Sequence, residues 1–83
     1  MPYEEKAEGT GCDSLLVPEN ECKEAASKVS SNYDSSKGYE IGNWAHLPNG
    51  CFVGHAHSNW KYTYFNHNSG TQNKQFRSIC KKA

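Results

Sequence analysis

Four cysteines, Cys12, Cys22, Cys51 and Cys80, constrain this 83-residue chain more than any other feature. Successive cysteines stand 10, 29 and 29 residues apart. Tetrahedral zinc sites usually draw thiolates from close pairs such as C-x2-C, because one tight turn must present two ligands together. No such pair is present, so two disulfides outrank both a thiolate metal site and free buried thiols. Four cysteines allow three connectivities. Disulfides imply an oxidising compartment.

Cross-links also meet a need. A chain of this length buries only about 60% of its unfolded surface. Its hydrophobic fraction is 35%. Leu occurs at 15, 16 and 47, Ile at 41 and 79, Val at 17, 29 and 53, and Phe at 52, 65 and 76. That supply is thin against a chain entropy of about 1–2 kcal/mol per residue. Residues 1–83 therefore read as one small disulfide-containing domain, with 1–10 as a mobile or edge-paired arm.

No stretch is apolar and long enough to span a membrane. The opening MPYEEKAEGTG is acidic and polar, without the apolar core of a signal peptide. An exported protein would have lost its signal, and Met1 would then not be native. A native cytosolic start would argue against the disulfides. The expectation is an extracellular or other oxidising location.

Charge is unevenly spread. Residues 1–40 hold all nine acids and four lysines, and residues 41–83 hold no acid and five bases. A basic half can mark a nucleic-acid partner. Here the bases are dispersed, and two halves that complement each other explain the pattern better. No nucleic-acid partner is expected.

The clearest local signal is VPENECKEAASKVSS, which predicts a helix from about 18 to 30. Pro18 suits the first helical position, and Glu19 and Glu21 suit the positive end of the dipole. Cys22, Ala25, Ala26 and Val29 fall at i, i+3, i+4 and i+7, giving one narrow apolar face. Glu19–Lys23 and Glu24–Lys28 form favourable i,i+4 pairs. The Ser/Gly/Asn-rich stretch 30–44 reads as loop, with a short strand near Tyr39–Ile41. Pro48-Asn49-Gly50 is a turn before a strand. Residues 66–75 read as a polar loop, and Phe76-Arg77-Ser78-Ile79-Cys80 as a last strand.

CFVGHAHSNWKYTYFN, at 51–66, reads as a hairpin. A two-residue turn at Ser58-Asn59 places Cys51, Val53, His55, His57, Trp60, Tyr62 and Tyr64 on one face. Cys51 can reach Cys22 only from the inner face. Val53 and Tyr64 are then core, with His55, His57, Trp60 and Tyr62 towards the tip. His55 and His57, two residues apart on a strand, could share a metal ion with His67 or His46. The C-terminal half offers no carboxylate to orient them, so solvated histidines are the better account. Trp60 and Tyr62, with Trp44, could stack a sugar ring or a protein partner, because aromatic rings combine contact area with a polar handle. Their competing role is to supply a core short of aliphatics.

Catalysis has little support. A Cys–His nucleophile needs a free cysteine, and neither a nucleophile elbow nor a phosphate-binding loop is present. Neither enzymatic activity nor a cofactor is expected.

E-C-K-E-A-A at 21–26, P-N-G-C-F at 48–52, Y-F-N at 64–66 and I-C-K at 79–81 resemble a small cysteine-containing domain of marine algal and planktonic proteins. The likeness spans roughly residues 8–82, and its HAHSNWK segment departs from the usual pattern. The layout also resembles PAN/apple modules. Those resemblances imply an α+β fold, with one helix packed on a small antiparallel sheet of three to four strands. By the PAN/apple analogy they imply bridges Cys22–Cys51 and Cys12–Cys80. The PAN/apple resemblance also implies binding of protein or carbohydrate, while the algal and planktonic one carries fold rather than activity. The functional expectation is a non-catalytic extracellular binding module that uses Trp60, Tyr62, His55, His57 and Trp44. A small structural subunit of a larger assembly is the alternative, followed by a metal protein built on His55, His57 and His67.

Two bridges are checked by intact mass. Reduction is expected to add about four hydrogens. An unchanged mass would remove both bridges and the oxidising compartment with them.

Overall fold

Pro18 sets where the helix begins. In the computed structural model, which describes residues 2–7, 9–30, 38–54, 63–71 and 76–82, helix α1 spans Glu19–Val29. Pro18 stands just outside as N-cap, with φ −63° and ψ 156°, rather than in the first turn as its sequence context suggests. Glu19 and Glu21 occupy the first turn and Lys28 the last, each sign matching its end of the dipole. Lys28 pairs with Glu24 at 3.2 Å. Glu19 departs from the expected partner Lys23 and meets His67 at 2.7 Å.

Five strands form one mixed sheet: β1 (Tyr3–Glu5), β2 (Tyr39–Gly42), β3 (Gly50–Val53), β4 (Thr63–Asn66) and β5 (Arg77–Lys81), in the order β1-β5-β3-β4-β2. Strand β3 runs antiparallel to β4 and β5, β1 antiparallel to β5, and β2 parallel to β4. The expected antiparallel sheet of three to four strands is therefore corrected in number and in one direction. The arm at 3–5 adds an edge strand. The connection 43–49 explains β2: it is held around one end of β4 by Asn66, so β3 starts at the end where β2 stops. With β4 lying between them, β2 is then parallel to β4.

Every position of β3 is buried, because both faces of the sheet are covered. Cys51 and Val53 face the helix and pack with Val17, Cys22, Ala25, Ala26 and Ile79. Ala25 and Ala26 let the helix approach the sheet closely. Phe52 faces the other way and clusters with Tyr64 and Phe76, flanked by Trp44 and Leu47. Its ring stacks on Tyr64 with centroids 5.1 Å apart, and Phe76 meets it edge-on, also at 5.1 Å. Two thin layers thus replace one thick core.

The root of the β3–β4 pair corrects the expected register. Val53 lies opposite Thr63 and Phe52 opposite Tyr64, one residue away from the pairing of Val53 with Tyr64. A one-residue slip exchanges faces, so Tyr64 leaves the helix side and joins Phe52. Cys51 and Val53 remain inside as expected. The proposed Ser58-Asn59 turn lies outside the described residues.

The disulfides join Cys22 to Cys51 and Cys12 to Cys80, with Cα separations of 5.4 and 5.3 Å. These are the pairings the PAN/apple resemblance implies. The first ties α1 to the central strand. The second lies on the opposite face, since Cys80 alternates with the inward Ile79. It holds residues 12–17 against β5, where the Lys81 N–H donates to the Leu15 carbonyl at 2.8 Å. Two disulfides fit an oxidising environment.

The acidic and basic halves meet at β1. Glu5 accepts from the Ser30 hydroxyl and lies 3.3 Å from Arg77 Nη1. The Tyr3 hydroxyl donates to Glu21 at 2.7 Å, and that hydrogen bond raises the phenol above its ordinary value of 10.0. The Tyr3–Glu21 bond is therefore lost at the alkaline end as pH rises through the raised value. Among the described residues, no helix is long and apolar enough to cross a membrane.

Loop-closure entropy assigns about 4.4 kcal/mol to the longer Cys12–Cys80 loop and about 3.6 kcal/mol to the Cys22–Cys51 loop. Packing is expected to reverse this order, because Cys22 and Cys51 belong to the helix–sheet core cluster and Cys12 and Cys80 do not. The double variant Cys22→Ala/Cys51→Ala is expected to melt below Cys12→Ala/Cys80→Ala in matched thermal scans. The opposite order would show that loop length alone governs.

Candidate functional site

Connection 43–49 must pass over the end of β4, and the residue there is Asn66, fully buried. Its Oδ1 accepts from the backbone N–H groups of Trp44 (2.8 Å) and Asn68 (3.1 Å). Its Nδ2 donates towards the carbonyls of Trp44 (2.8 Å), Leu47 (3.1 Å) and Pro48 (2.9 Å). One side-chain amide thus satisfies both backbone polar groups of Trp44 and stitches two loops together. Buried backbone groups need such partners. A carboxylate could not supply the donors, and an aliphatic side chain could supply nothing.

The second loop, 67–71, is fastened from outside. Gly70 N–H donates to Asn68 Oδ1 at 2.8 Å, and Thr71 N–H donates to the Leu47 carbonyl at 3.1 Å. Gly70 has φ +57°, and a Cβ there would lie 2.0 Å from the Leu47 oxygen. Glycine alone combines that conformation with that approach. Asn68 Nδ2 then donates to Asn43 Oδ1 at 2.8 Å.

Trp44 sits at the centre of this pair of loops. Its six-membered ring lies over Gly42, where a Cβ would come within 2.2 Å of Cζ2. It meets Tyr64 edge-on, with centroids 5.9 Å apart and planes at 88°. Half-buried, it covers the aromatic layer on one side and contributes to the surface on the other. Among the sequence-proposed contact residues, Trp44 is the one the structure describes. His55, His57, Trp60 and Tyr62 lie outside the described residues. Gly54 and Thr63, the described residues that flank that segment, are both buried. Thr63 N–H donates to the Gly38 carbonyl at 3.2 Å.

His67, proposed as a metal ligand, directs Nε2 to Glu19 and packs against Phe65 with centroids 5.2 Å apart. His46 is exposed in the 43–49 connection. Among the described residues, no three metal-ligating side chains come together. All four cysteines are disulfide-bonded, which leaves no thiol nucleophile.

Sequence reasoning passed over Asn66, Asn43, Asn68 and Gly42. A signal for the first was available: an amide ends the aromatic strand Tyr64-Phe65-Asn66, where a solvent-facing polar residue or a buried hub are the two options. No protein-family model, curated protein or solved structure matches this chain.

Asn66→Ala strands two N–H groups and three carbonyls, and is expected to cost about 3 kcal/mol out of roughly 5–15 kcal/mol for a small domain. Asn66→Asp keeps the shape but turns a carboxylate towards three carbonyls, which raises its folded-state pKa. Its deficit against wild type is expected to be smallest below about pH 4 and to widen as pH rises through the raised value. Urea unfolding at several pH values checks both, and a deficit independent of pH would contradict the hub geometry.

Proposed function

We propose that this chain is a non-catalytic, extracellular binding module for a protein or carbohydrate ligand. The observation that carries this reading is the half-exposed Trp44, whose main chain is fixed at both polar groups by a wholly buried asparagine. Rigid presentation lowers the entropy cost of binding, and an aromatic ring with a polar edge suits either ligand class. Two disulfides support an extracellular location. With all four cysteines in disulfides, a thiol nucleophile is excluded. Trp60, Tyr62, His55 and His57 belong to the same reading as contact residues proposed from sequence.

One observation favours a second reading, a structural subunit of an assembly. Strand β2 is an edge of the sheet. The carbonyls of Gly38 and Gly42 bond towards β4 and its continuation, so in a parallel ladder the backbone groups of Tyr39 and Ile41 point outward. Ile41 is 45% exposed. Such an edge can template another strand.

A glycan array combined with a pull-down from native extract tests the first reading, and native mass spectrometry tests the second. A ligand retained by oxidised protein and lost on reduction is expected. A stable homo-oligomer dissociated by Ile41→Lys, with no ligand in either screen, would replace the module with the subunit.

A further inference from the structure

Three features of the Trp44 surface narrow the ligand. The first is the hydrogen-bond relay Gly70 N–H to Asn68 Oδ1 and Asn68 Nδ2 to Asn43 Oδ1. It fixes the orientation of the Asn43 amide and leaves Asn43 Nδ2 without an acceptor among the described residues. Asn43 is exposed and adjoins Trp44 in the chain. A donor held in place one residue before the tryptophan, yet without an acceptor among the described residues, is available to a ligand.

The second feature is charge. Residues 38–54 and 63–71 contain no lysine or arginine, and their single acid is Glu40. Glu40 is exposed, lies opposite Tyr64 in the β2–β4 register, and shares the face of Gly42, which the indole covers. A carboxylate accepts hydroxyl hydrogen bonds but repels anions. The surface therefore disfavours phosphate, sulfate or uronate ligands.

The third feature is shape. The indole is braced from below by the backbone at Gly42 and from the side by Tyr64, so it cannot sink further into the fold. A braced ring offers a flat apolar surface, and the amide donor one residue away in the chain and the carboxylate acceptor on the face of Gly42 supply hydrogen-bonding groups. A pyranose ring has matching chemistry: an apolar face of C–H groups and a rim of hydroxyls that both donate and accept.

Resting on the binding-module reading, we infer that the ligand is a neutral saccharide, with a sugar ring stacked on Trp44 and its hydroxyls bonded to the Asn43 amide and the Glu40 carboxylate. The fold could instead use Trp44 only as a cover for the Phe52–Tyr64–Phe76 layer, and the two roles separate experimentally. Asn43 and Glu40 do not belong to that layer, so their replacement tests recognition without disturbing packing.

Affinity electrophoresis through gels containing a β-glucan, a xylan, a galactomannan or a sulfated galactan provides the test, with thermal unfolding in parallel. Wild type is expected to be retarded by at least one neutral polymer and not by the sulfated one. Trp44→Leu is expected to weaken that retardation at least tenfold. Asn43→Ala and Glu40→Gln are expected to weaken it severalfold, and Glu40→Gln to do so with unchanged melting temperature. Retardation by none of the neutral polymers, or Asn43→Ala and Glu40→Gln behaving as wild type, would overturn the inference. Capture of a protein partner without any glycan would overturn the ligand class while the module reading stands. Glycan binding abolished by Trp60→Ala or Tyr62→Ala, yet untouched by Trp44→Leu and Asn43→Ala, would remove this site and keep the module. Failure of both glycan and protein screens would remove both.

Discussion

The Cys22–Cys51 bond joins α1 to the strand that every other part of the sheet depends on. Strand β3 pairs with both β4 and β5, and all four of its residues are buried. The helix meets it through Ala25 and Ala26, which are small enough to bring the backbones close but bury little apolar area themselves. At about 25 cal/mol per Å², such a face contributes too little to hold a helix of eleven residues, and an isolated helix of that length is marginal in water. The covalent bond supplies what the side chains lack. It also fixes which face of β3 is inner, and from there the pleat places Phe52 and its aromatic partners on the other side.

The second constraint follows from the first. Once Cys51 starts β3 beneath the helix, the short connection from β2 must cross the end of β4. That crossing brings backbone amides and carbonyls into a region with little access to water, and unsatisfied groups there cost about 1–3 kcal/mol each. Asn66 resolves the problem with one side chain. A polar hub therefore performs at the loops the task that apolar packing performs between helix and sheet. The relay from Gly70 through Asn68 to Asn43 extends this order outward to the surface.

Much of the fold was legible because it rests on local signals. The helix followed from Pro18, the two early glutamates and the i, i+3, i+4 pattern of Cys22, Ala25 and Ala26. The turn Pro48-Asn49-Gly50 and the last strand followed from residue type. The register at Tyr64 did not follow. Cys51-Phe52-Val53 and Thr63-Tyr64-Phe65 are apolar on both faces, so alternation could not decide which side of β4 met the helix. The direction of β2 was hidden because it depends on the non-local placement of β4 between β2 and β3. At the candidate site, Trp44 was visible as an aromatic residue in a polar stretch. Asn66, Asn43 and Asn68 were not, since three asparagines in loops look alike until the backbone they serve is in place.

The sheet thus divides labour between its faces. On the helix side the disulfide and the small residues set position, and the Glu5–Arg77 ion pair and the Glu19–His67 contact link the N-terminal and C-terminal halves. Both are partly exposed and contribute little stability on their own, so they serve register more than strength. On the other side Trp44 and Leu47 flank the aromatic layer among the described residues. In a chain short of aliphatics, such a flanking residue stays half-buried. The economy that thins the core therefore exposes an indole, and the buried asparagine that satisfies the crossing loop holds that indole still. A surface that binds arises here from the same two shortages, of apolar area and of backbone partners, that the fold had to meet.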